Sequence, residues 1–187
     1  MIRDTSHSFG WISILLHWSS AITTLFLFGL GIYLTSYGYY SPDYLEIAHL
    51  HYALGMILLA VVAVRLLWRL SSKTPASLSK KLPIKISVFL TKFLLYSFLV
   101  AILVSGYFIC TAEGQSIAVF NLVQIPSFIL LDTPQLNAAG LTHKYLAWAL
   151  FGLVILHAGA ALVHHFKGDK TLMRMIKPQK ASDKEAN

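Results

Sequence analysis

Residues 141–165 read LTHKYLAWALFGLVILHAGAALVHH, and this stretch decides the class of fold. After Lys144 it carries no acidic residue, Lys or Arg, and it exceeds the roughly 20 apolar residues that cross a bilayer. His143 and His157 are 14 residues apart. At about 100° and about 1.5 Å per residue, their side chains lie within about 40° around a helix and about 21 Å apart along it. The stretch therefore predicts a membrane-spanning helix with two imidazoles on one face.

The chain as a whole is also largely apolar and poor in charge. Of its 187 residues, 56% are hydrophobic and only 12% are charged, against about 25% charged residues in a soluble domain. This composition excludes a disordered chain, and the single cysteine excludes a disulfide framework, a four-cysteine zinc site and an iron–sulfur cluster held within the chain. We predict an all-α integral membrane four-helix bundle with spans at about 10–36, 47–69, 87–110 and 141–165.

Two segments have alternative interpretations. Residues 114–131 lack charge but contain Gln115, Asn121, Gln124 and Pro126, so we predict an interfacial loop or short helix, with a fifth span as the alternative. The first span resembles the start of a secretory signal. Its apolar run is too long and no small-residue cleavage site follows, so we expect it to be retained.

The basic residues predict the orientation. With four spans, 14 of the 15 Lys and Arg residues fall on one side of the membrane and only Lys144 falls on the other. Because the positive side faces the cytoplasm, both termini of this multi-pass membrane protein should be cytoplasmic. Residues 1–178 form one predicted domain and 179–187 a polar tail. The net charge of +7 is then a topology signal, and we expect lipid rather than nucleic acid as a partner.

Four of the eight histidines fall inside the predicted spans, where ionisable groups usually mark a functional site. Following each span in its direction places His51 and His143 at an outer level and His17 and His157 at an inner level. Such an arrangement suits two haems stacked across the bilayer, each with two histidine ligands to its iron. The alternatives are hydrogen bonds between helices, or a zinc or copper site, which needs three or four ligands around one point. The other four histidines are peripheral: His7, His49, His164 and His165.

Small and basic residues near these histidines fit the same interpretation. Small side chains allow a haem plane to approach the backbone, although they are equally common at ordinary helix contacts. The small residues near the four histidines are Ser13, Ser20, Gly55, Gly152 and Gly159. Arg65 follows His51 by 14 residues and should lie near the inner level, where we predict a contact with haem propionates; the alternative is an arginine that only sets topology. Arg69 is a weaker candidate, and Lys144 could serve the outer propionates or attract an anion.

At this point the sequence resembles the bacterial cytochrome b-561 family. Its members are small four-helix dihaem proteins of the inner membrane, related to the cytochrome b subunits of some hydrogenases and formate dehydrogenases. The matching motifs are residues 16–18 (LHW), 51–55 (HYALG), 64–69 (VRLLWR), 105–106 (SG), 156–165 (LHAGAALVHH) and 170–175 (KTLMRM). The resemblance implies haem b, in agreement with the lack of a C-x-x-C-H motif. It also implies electron transfer between the ubiquinone pool and an outer partner, which is superoxide in some members and a protein subunit in others.

Three functions therefore remain open. The first is a stand-alone quinone-linked oxidoreductase, such as a superoxide:ubiquinone oxidoreductase. The second is a cytochrome b subunit docked to a periplasmic redox enzyme. The third is a haem-free transporter with proton-relay histidines, which is disfavoured because transporters usually show repeats and broken helices. Two histidines on each iron would leave no open coordination position, which suits electron transfer.

Overall fold

The structure is a computed structural model that describes residues 1–36, 41–76, 79 and 81–179. Its described residues form four long helices, namely α1 Trp11–Ser36, α2 Tyr44–Ser71, α3 Leu82–Thr111 and α4 Thr133–Phe166. Each is long and apolar enough to cross a membrane. The predicted all-α class and the four spans are confirmed.

Helices α2, α3 and α4 extend beyond the predicted spans, most of all α4, where a capping signal lies outside the apolar run. Helix α4 begins eight residues before the predicted span, where Asp132 accepts a hydrogen bond from the Gln135 N–H at 2.8 Å. The Gln135 side chain accepts one from the Asp132 N–H at 3.0 Å, so the two residues form a capping box. Pro134 in the first turn and Pro83 at the start of α3 favour a helix start.

The helices pack in the order of the chain, α1 on α2, α2 on α3 and α3 on α4, and α4 also touches α1. Their apolar core occupies the middle of the bundle, and its buried members are Leu27, Leu58, Val62, Leu99, Leu103 and Leu150. Leu150 lies seven residues from both His143 and His157. The core therefore separates the two predicted histidine levels.

The connection between α3 and α4 contains a short antiparallel hairpin. Strand β1 (Ile117–Val119) pairs with β2 (Val123–Ile125), and the turn places Phe120 and Asn121 at φ 48° and 59°. Ile117 is 2% exposed. This connection is a loop, as one predicted alternative had it, but it holds strands; the expectations of a short helix and of a fifth span are wrong. Hydrogen bonds between the two strands satisfy backbone N–H and C=O groups, which could not stay unpaired in lipid.

The two ends of the described chain meet at the same end of the bundle, which we call the basic end. There the Gln179 N–H donates to Ser8 Oγ at 2.7 Å, and the Trp18 indole donates to the Met175 carbonyl oxygen at 2.7 Å. The N-terminal segment folds back onto α1 through a Trp11 N–H bond to the Met1 carbonyl oxygen at 3.2 Å. A side chain at Gly10 would collide with the backbone of Arg3. Of the predicted polar tail, residues 180–187 lie outside the described residues.

Candidate functional site

The inner pair of predicted ligands lies between α1 and α4. The rings of His17 and His157 have centroids 6.4 Å apart and planes 76° apart. The two side chains, separated by 140 residues in the chain, face each other because the first and last helices of the bundle meet.

The outer pair lies between α2 and α4. The rings of His51 and His143 have centroids 6.2 Å apart and planes 67° apart. Helix α4 therefore contributes one ring to each pair, on the shared face that the 14-residue spacing predicts.

Both distances suit two imidazoles on opposite sides of one metal ion. A metal–imidazole bond is about 2.0 Å long and the ring centre lies about 1.1 Å behind the nitrogen, so two opposed rings have centroids about 6.2 Å apart. Each pair supplies two ligands. Among the described residues, no group of three or more His, Cys, Asp or Glu side chains is placed to hold a metal ion. The donor set thus fits an ion whose remaining ligands come from a macrocycle, as in haem.

Neighbouring groups orient His143. Its Nδ1 lies 3.0 Å from the Ile102 carbonyl oxygen, which only accepts, and 3.1 Å from Ser105 Oγ. The contact with the carbonyl assigns the proton of the neutral ring to Nδ1 and leaves Nε2 with a free lone pair. This is the usual arrangement of a metal-ligating histidine.

A buried nitrogen of His51 lacks a hydrogen-bond partner among the described residues. This atom, Nδ1, is enclosed and makes no hydrogen bond to any part of the chain that the structure describes. Burying a polar nitrogen without a partner is unfavourable. The unpaired nitrogen is therefore consistent with a His51 ring that contacts a bound, non-protein group in the functional protein.

Arg65 lies at the inner pair, where the spacing from His51 places it. It donates from Nη2 to His17 Nδ1 at 2.8 Å and from Nη1 to Ser20 Oγ at 2.6 Å, and it lies over the Tyr96 ring at 5.2 Å. Because a guanidinium only donates, His17 Nδ1 accepts and the neutral ring carries its proton on Nε2. For His17 to bind a metal through Nε2, that proton must leave or Arg65 must release Nδ1 and bind another acceptor.

Three of the small residues border open space. Gly55 is buried, yet a Cβ added there would meet no atom within 4 Å, and the same holds for added Cβ atoms at Gly152 and Gly159. These positions therefore leave room for a bulky group beside the helix backbone. Ser13 and Ser20 act differently, since their hydroxyls accept hydrogen bonds from Trp68 and Arg65.

Two other glycines support the outer pair, and sequence reasoning did not assign them this role. A Cβ at Gly106 would lie 3.1 Å from His143 Cε1, and one at Gly31 would lie 3.6 Å from His51 Cε1. The only sequence signal was the small pair Ser105–Gly106 in the third span.

Lys92 is a further residue that sequence reasoning left with the connecting segment. It lies on α3, ten residues after Leu82, within electrostatic range of His157, Arg69 and Arg174. Its position inside the predicted span 87–110 was the available signal. Arg69, the weaker candidate for a propionate contact, instead forms an ion pair with Asp4 at 2.9 Å.

The peripheral histidines do not join the pairs. His164 Nδ1 lies 3.2 Å from Asp169 Oδ2, while His165 is exposed and makes a tilted ring contact with Phe166. His49 is exposed and packs against Tyr52, and Lys144 is exposed beside His143.

Partial burial tends to raise the pKa of Asp169, but two hydrogen bonds from Thr171 and the nearby His164 outweigh it and lower that pKa below its usual value.

Comparison with known proteins identifies the family of this chain. The family described as prokaryotic cytochrome b561 matches residues 8–178. The chain is 35% identical to "Cytochrome b561 homolog 2" of Escherichia coli (strain K12), over 92% of this chain and 93% of that protein. It is 31% identical to "Probable superoxide oxidase CybB" of Yersinia pestis, over 68% of this chain and 73% of that protein.

The family match and the four spanning helices identify a multi-pass membrane protein with a role in transmembrane electron transfer. Members of this family are haem b proteins. The chain belongs to the prokaryotic cytochrome b561 family.

Proposed function

We propose that this protein carries electrons across a bacterial inner membrane through two haem b groups, one held by His17 and His157 and the other by His51 and His143. The observation that carries the proposal is the presence of two imidazole pairs, at 6.4 and 6.2 Å, on one face of α4. Both termini would then lie in the cytoplasm, because the basic end carries nearly all Lys and Arg residues.

The haem groups would supply one-electron chemistry, and the protein would supply orientation and charge. With a histidine on each side, no coordination position is left for a substrate, which favours electron transfer over chemistry at the iron. Ile102 and Ser105 hold the outer ring of His143 in place. Arg65, once released from His17, would be free to bind a propionate beside the inner pair.

We further propose ubiquinone as one substrate and superoxide as the other, on opposite sides of the membrane. The relative named as a probable superoxide oxidase favours superoxide as the outer donor. A periplasmic redox protein is the competing outer partner, and the chain would then be the membrane subunit of a larger complex. Two electrons and two protons reduce one quinone to a quinol, so two superoxide ions are oxidised to dioxygen for each quinone.

A visible spectrum of the purified protein tests the haem proposal. We expect b-type bands after reduction, and we expect His51→Ala and His143→Ala to remove the same haem while His17→Ala and His157→Ala remove the other. His165→Ala is the control and should keep both haems, since that side chain is exposed and joins neither pair. If the bands are missing from the wild type, or if His51→Ala and His157→Ala remove one and the same haem, the assignment is wrong.

Rapid mixing tests the substrates. Superoxide should reduce the haems of the purified protein, and added ubiquinone should reoxidise them. Haems that stay oxidised with superoxide but are reduced by a periplasmic protein that co-purifies with the chain would instead support a subunit role.

A further inference from the structure

A cavity of about 490 Å³ lies between the first turns of α2 and the hairpin of the long connection. Its wall includes the apolar side chains of Ala53 on α2 and Ala118 on β1. Three polar side chains also line it, namely Glu46, His49 and Asn121. Strand β1 packs against α2, and this contact holds the hairpin turn with Asn121 opposite the two helix residues.

The two helix residues are spaced to share a ligand. Glu46 and His49 are three residues apart, in an E-x-x-H arrangement. At about 100° and about 1.5 Å per residue, they lie about 60° apart around the helix and about 4.5 Å apart along it. Side chains with this spacing are neighbours on a helix surface, and E-x-x-H pairs bind metal ions in helix bundles. The carboxylate and the imidazole can therefore reach the same ion.

The three polar side chains are available to bind a ligand. In the part of the chain that the structure describes, none of them makes a side-chain hydrogen bond or an ion pair, and all three are exposed. The His49 ring contacts the Tyr52 ring, with centroids 5.0 Å apart, and this contact leaves its nitrogens unpaired. The lone pairs of an imidazole, a carboxylate and an amide oxygen thus meet in one cavity.

The charge at this end of the bundle favours a cation. Asp43, Glu46, Glu113 and Asp132 are exposed carboxylates at the helix ends opposite the basic end. Residues 4–64 contain no Lys or Arg, and Lys144 is the only one in residues 93–166. A surface with an excess of negative charge raises the local concentration of cations.

The donor atoms select the class of cation. Mg²⁺ and Ca²⁺ prefer ligand sets made of oxygen alone, whereas an imidazole suits zinc and the neighbouring transition metals. One nitrogen and two oxygens, with the fourth position left to water, match the tetrahedral coordination of Zn²⁺.

We propose that Glu46, His49 and Asn121 form a binding site for a divalent transition metal ion, with Zn²⁺ as the best match, and that the bound ion joins α2 to the hairpin. The site is separate from both histidine pairs. His51 follows His49 by two residues and therefore lies about 160° away around the helix. The proposal goes beyond electron transfer and does not depend on the haem assignment.

Isothermal titration calorimetry of the purified full-length protein with Zn²⁺, after treatment with a chelator, tests the proposal. His49→Ala and Glu46→Gln should each weaken the binding by at least about tenfold, because each removes a ligand. Asn121→Asp should tighten it, since a carboxylate replaces an amide and aspartate tolerates the φ of 59° at this position. Unchanged affinity in both His49→Ala and Glu46→Gln would overturn the inference, as would the lack of Zn²⁺ binding by the wild type.

His165→Ala and Glu113→Gln are the matched controls. Each removes an exposed side chain of the same type that does not line the cavity, so both should bind Zn²⁺ like the wild type. An excess of Mg²⁺ should not displace Zn²⁺. X-ray absorption at the zinc edge should show nitrogen and oxygen ligands. A sulfur ligand, which would point to Cys110, or displacement by Mg²⁺ would overturn the assignment.

Hydrogen exchange tests whether the ion joins the two elements. Zn²⁺ should slow exchange of the backbone amides in residues 117–125 of the wild type and have no such effect in His49→Ala. Hairpin amides that exchange equally fast with and without Zn²⁺ in the wild type would show that Asn121 is not a ligand.

Discussion

His143 is held by a hydrogen bond and by close packing against α3, and this makes it the most constrained of the four paired histidines. The Ile102 carbonyl accepts from Nδ1, and Gly106 leaves only enough space for the ring. A fixed orientation of the imidazole ring matters because a metal-ligating histidine must point its free nitrogen at the metal ion. His17 differs, since its Nδ1 accepts from Arg65 and its orientation depends on a group that is able to change partner.

We predict that Gly106→Val disturbs the outer haem. A Cβ at this position would lie 3.1 Å from His143 Cε1, and valine adds two further carbons, so the ring must tilt or its helix must move. The expected result is loss of the outer haem or a clear change in its low-temperature electron paramagnetic resonance signal, with the inner signal unchanged.

Gly140→Val on α4 is the control, because a Cβ there meets no atom within 4 Å. It should leave both signals as in the wild type. An unchanged outer signal in Gly106→Val would show that this glycine does not position His143.

At the scale of single elements, α4 organises the molecule. It carries one ring of each pair, and its N-terminus is fixed by the capping box of Asp132 and Gln135 outside the apolar run. Helix α2 begins without such support, since Asp43 at its N-cap makes no side-chain cap hydrogen bond. The two N-termini therefore provide a matched comparison of capped and uncapped starts.

We predict that Asp132→Ala lowers the free energy of unfolding by about 1 kcal/mol, because a helix N–H loses its acceptor. Asp43→Ala should have a clearly smaller effect. Thermal unfolding in detergent, followed by the helical circular dichroism signal, measures both variants. Equal losses in the two variants would mean that the capping box adds nothing to stability.

At the scale of the whole molecule, the basic end joins segments that are far apart in the chain. Asp4 binds Arg69 and the hydroxyl of Ser13 at 2.9 and 2.6 Å, and Arg174 links the residues near His7 to Ala76. These contacts place the N-terminal segment, the end of α2 and the C-terminal segment in one polar network beside the inner pair. The network concentrates positive charge where the sequence alone shows only scattered basic residues.

Asp169 gives this end a pH-dependent contact. Its pKa is lowered in the folded protein, so its stabilising effect is present at neutral pH and is lost as the pH falls through that pKa, below the usual value of 3.8. We predict that Asp169→Asn lowers the melting temperature slightly at pH 7, by the equivalent of about 1 kcal/mol or less for a partly exposed group. The difference from the wild type should shrink toward pH 3.

Melting curves of both proteins between pH 3 and pH 7 check this expectation. Asp43→Asn serves as the control and should melt like the wild type at each pH, because Asp43 is exposed and makes no side-chain cap hydrogen bond. A difference that stays constant over the whole range would show that the Asp169 charge is not involved.

Much of the fold follows from the sequence, because lipid permits few spanning structures and the charge-free runs mark them directly. The hairpin at residues 117–125 was missed since three-residue strands leave almost no periodic signal. The start of α4 was misplaced because a search for apolar runs ignores a capping box. Lys92 was passed over because its charge alone does not say which side chains it faces.

By itself, the sequence determined four spans, the placement of nearly all basic residues at one end, and a common face for His143 and His157. These follow from local composition and from helix periodicity, which need no partner. Only the tertiary structure decided the ring distances of 6.4 and 6.2 Å, the Arg65 contact with His17, and the ion pair between Arg69 and Asp4. Those contacts join distant parts of the chain, and their distances depend on how the helices pack against one another.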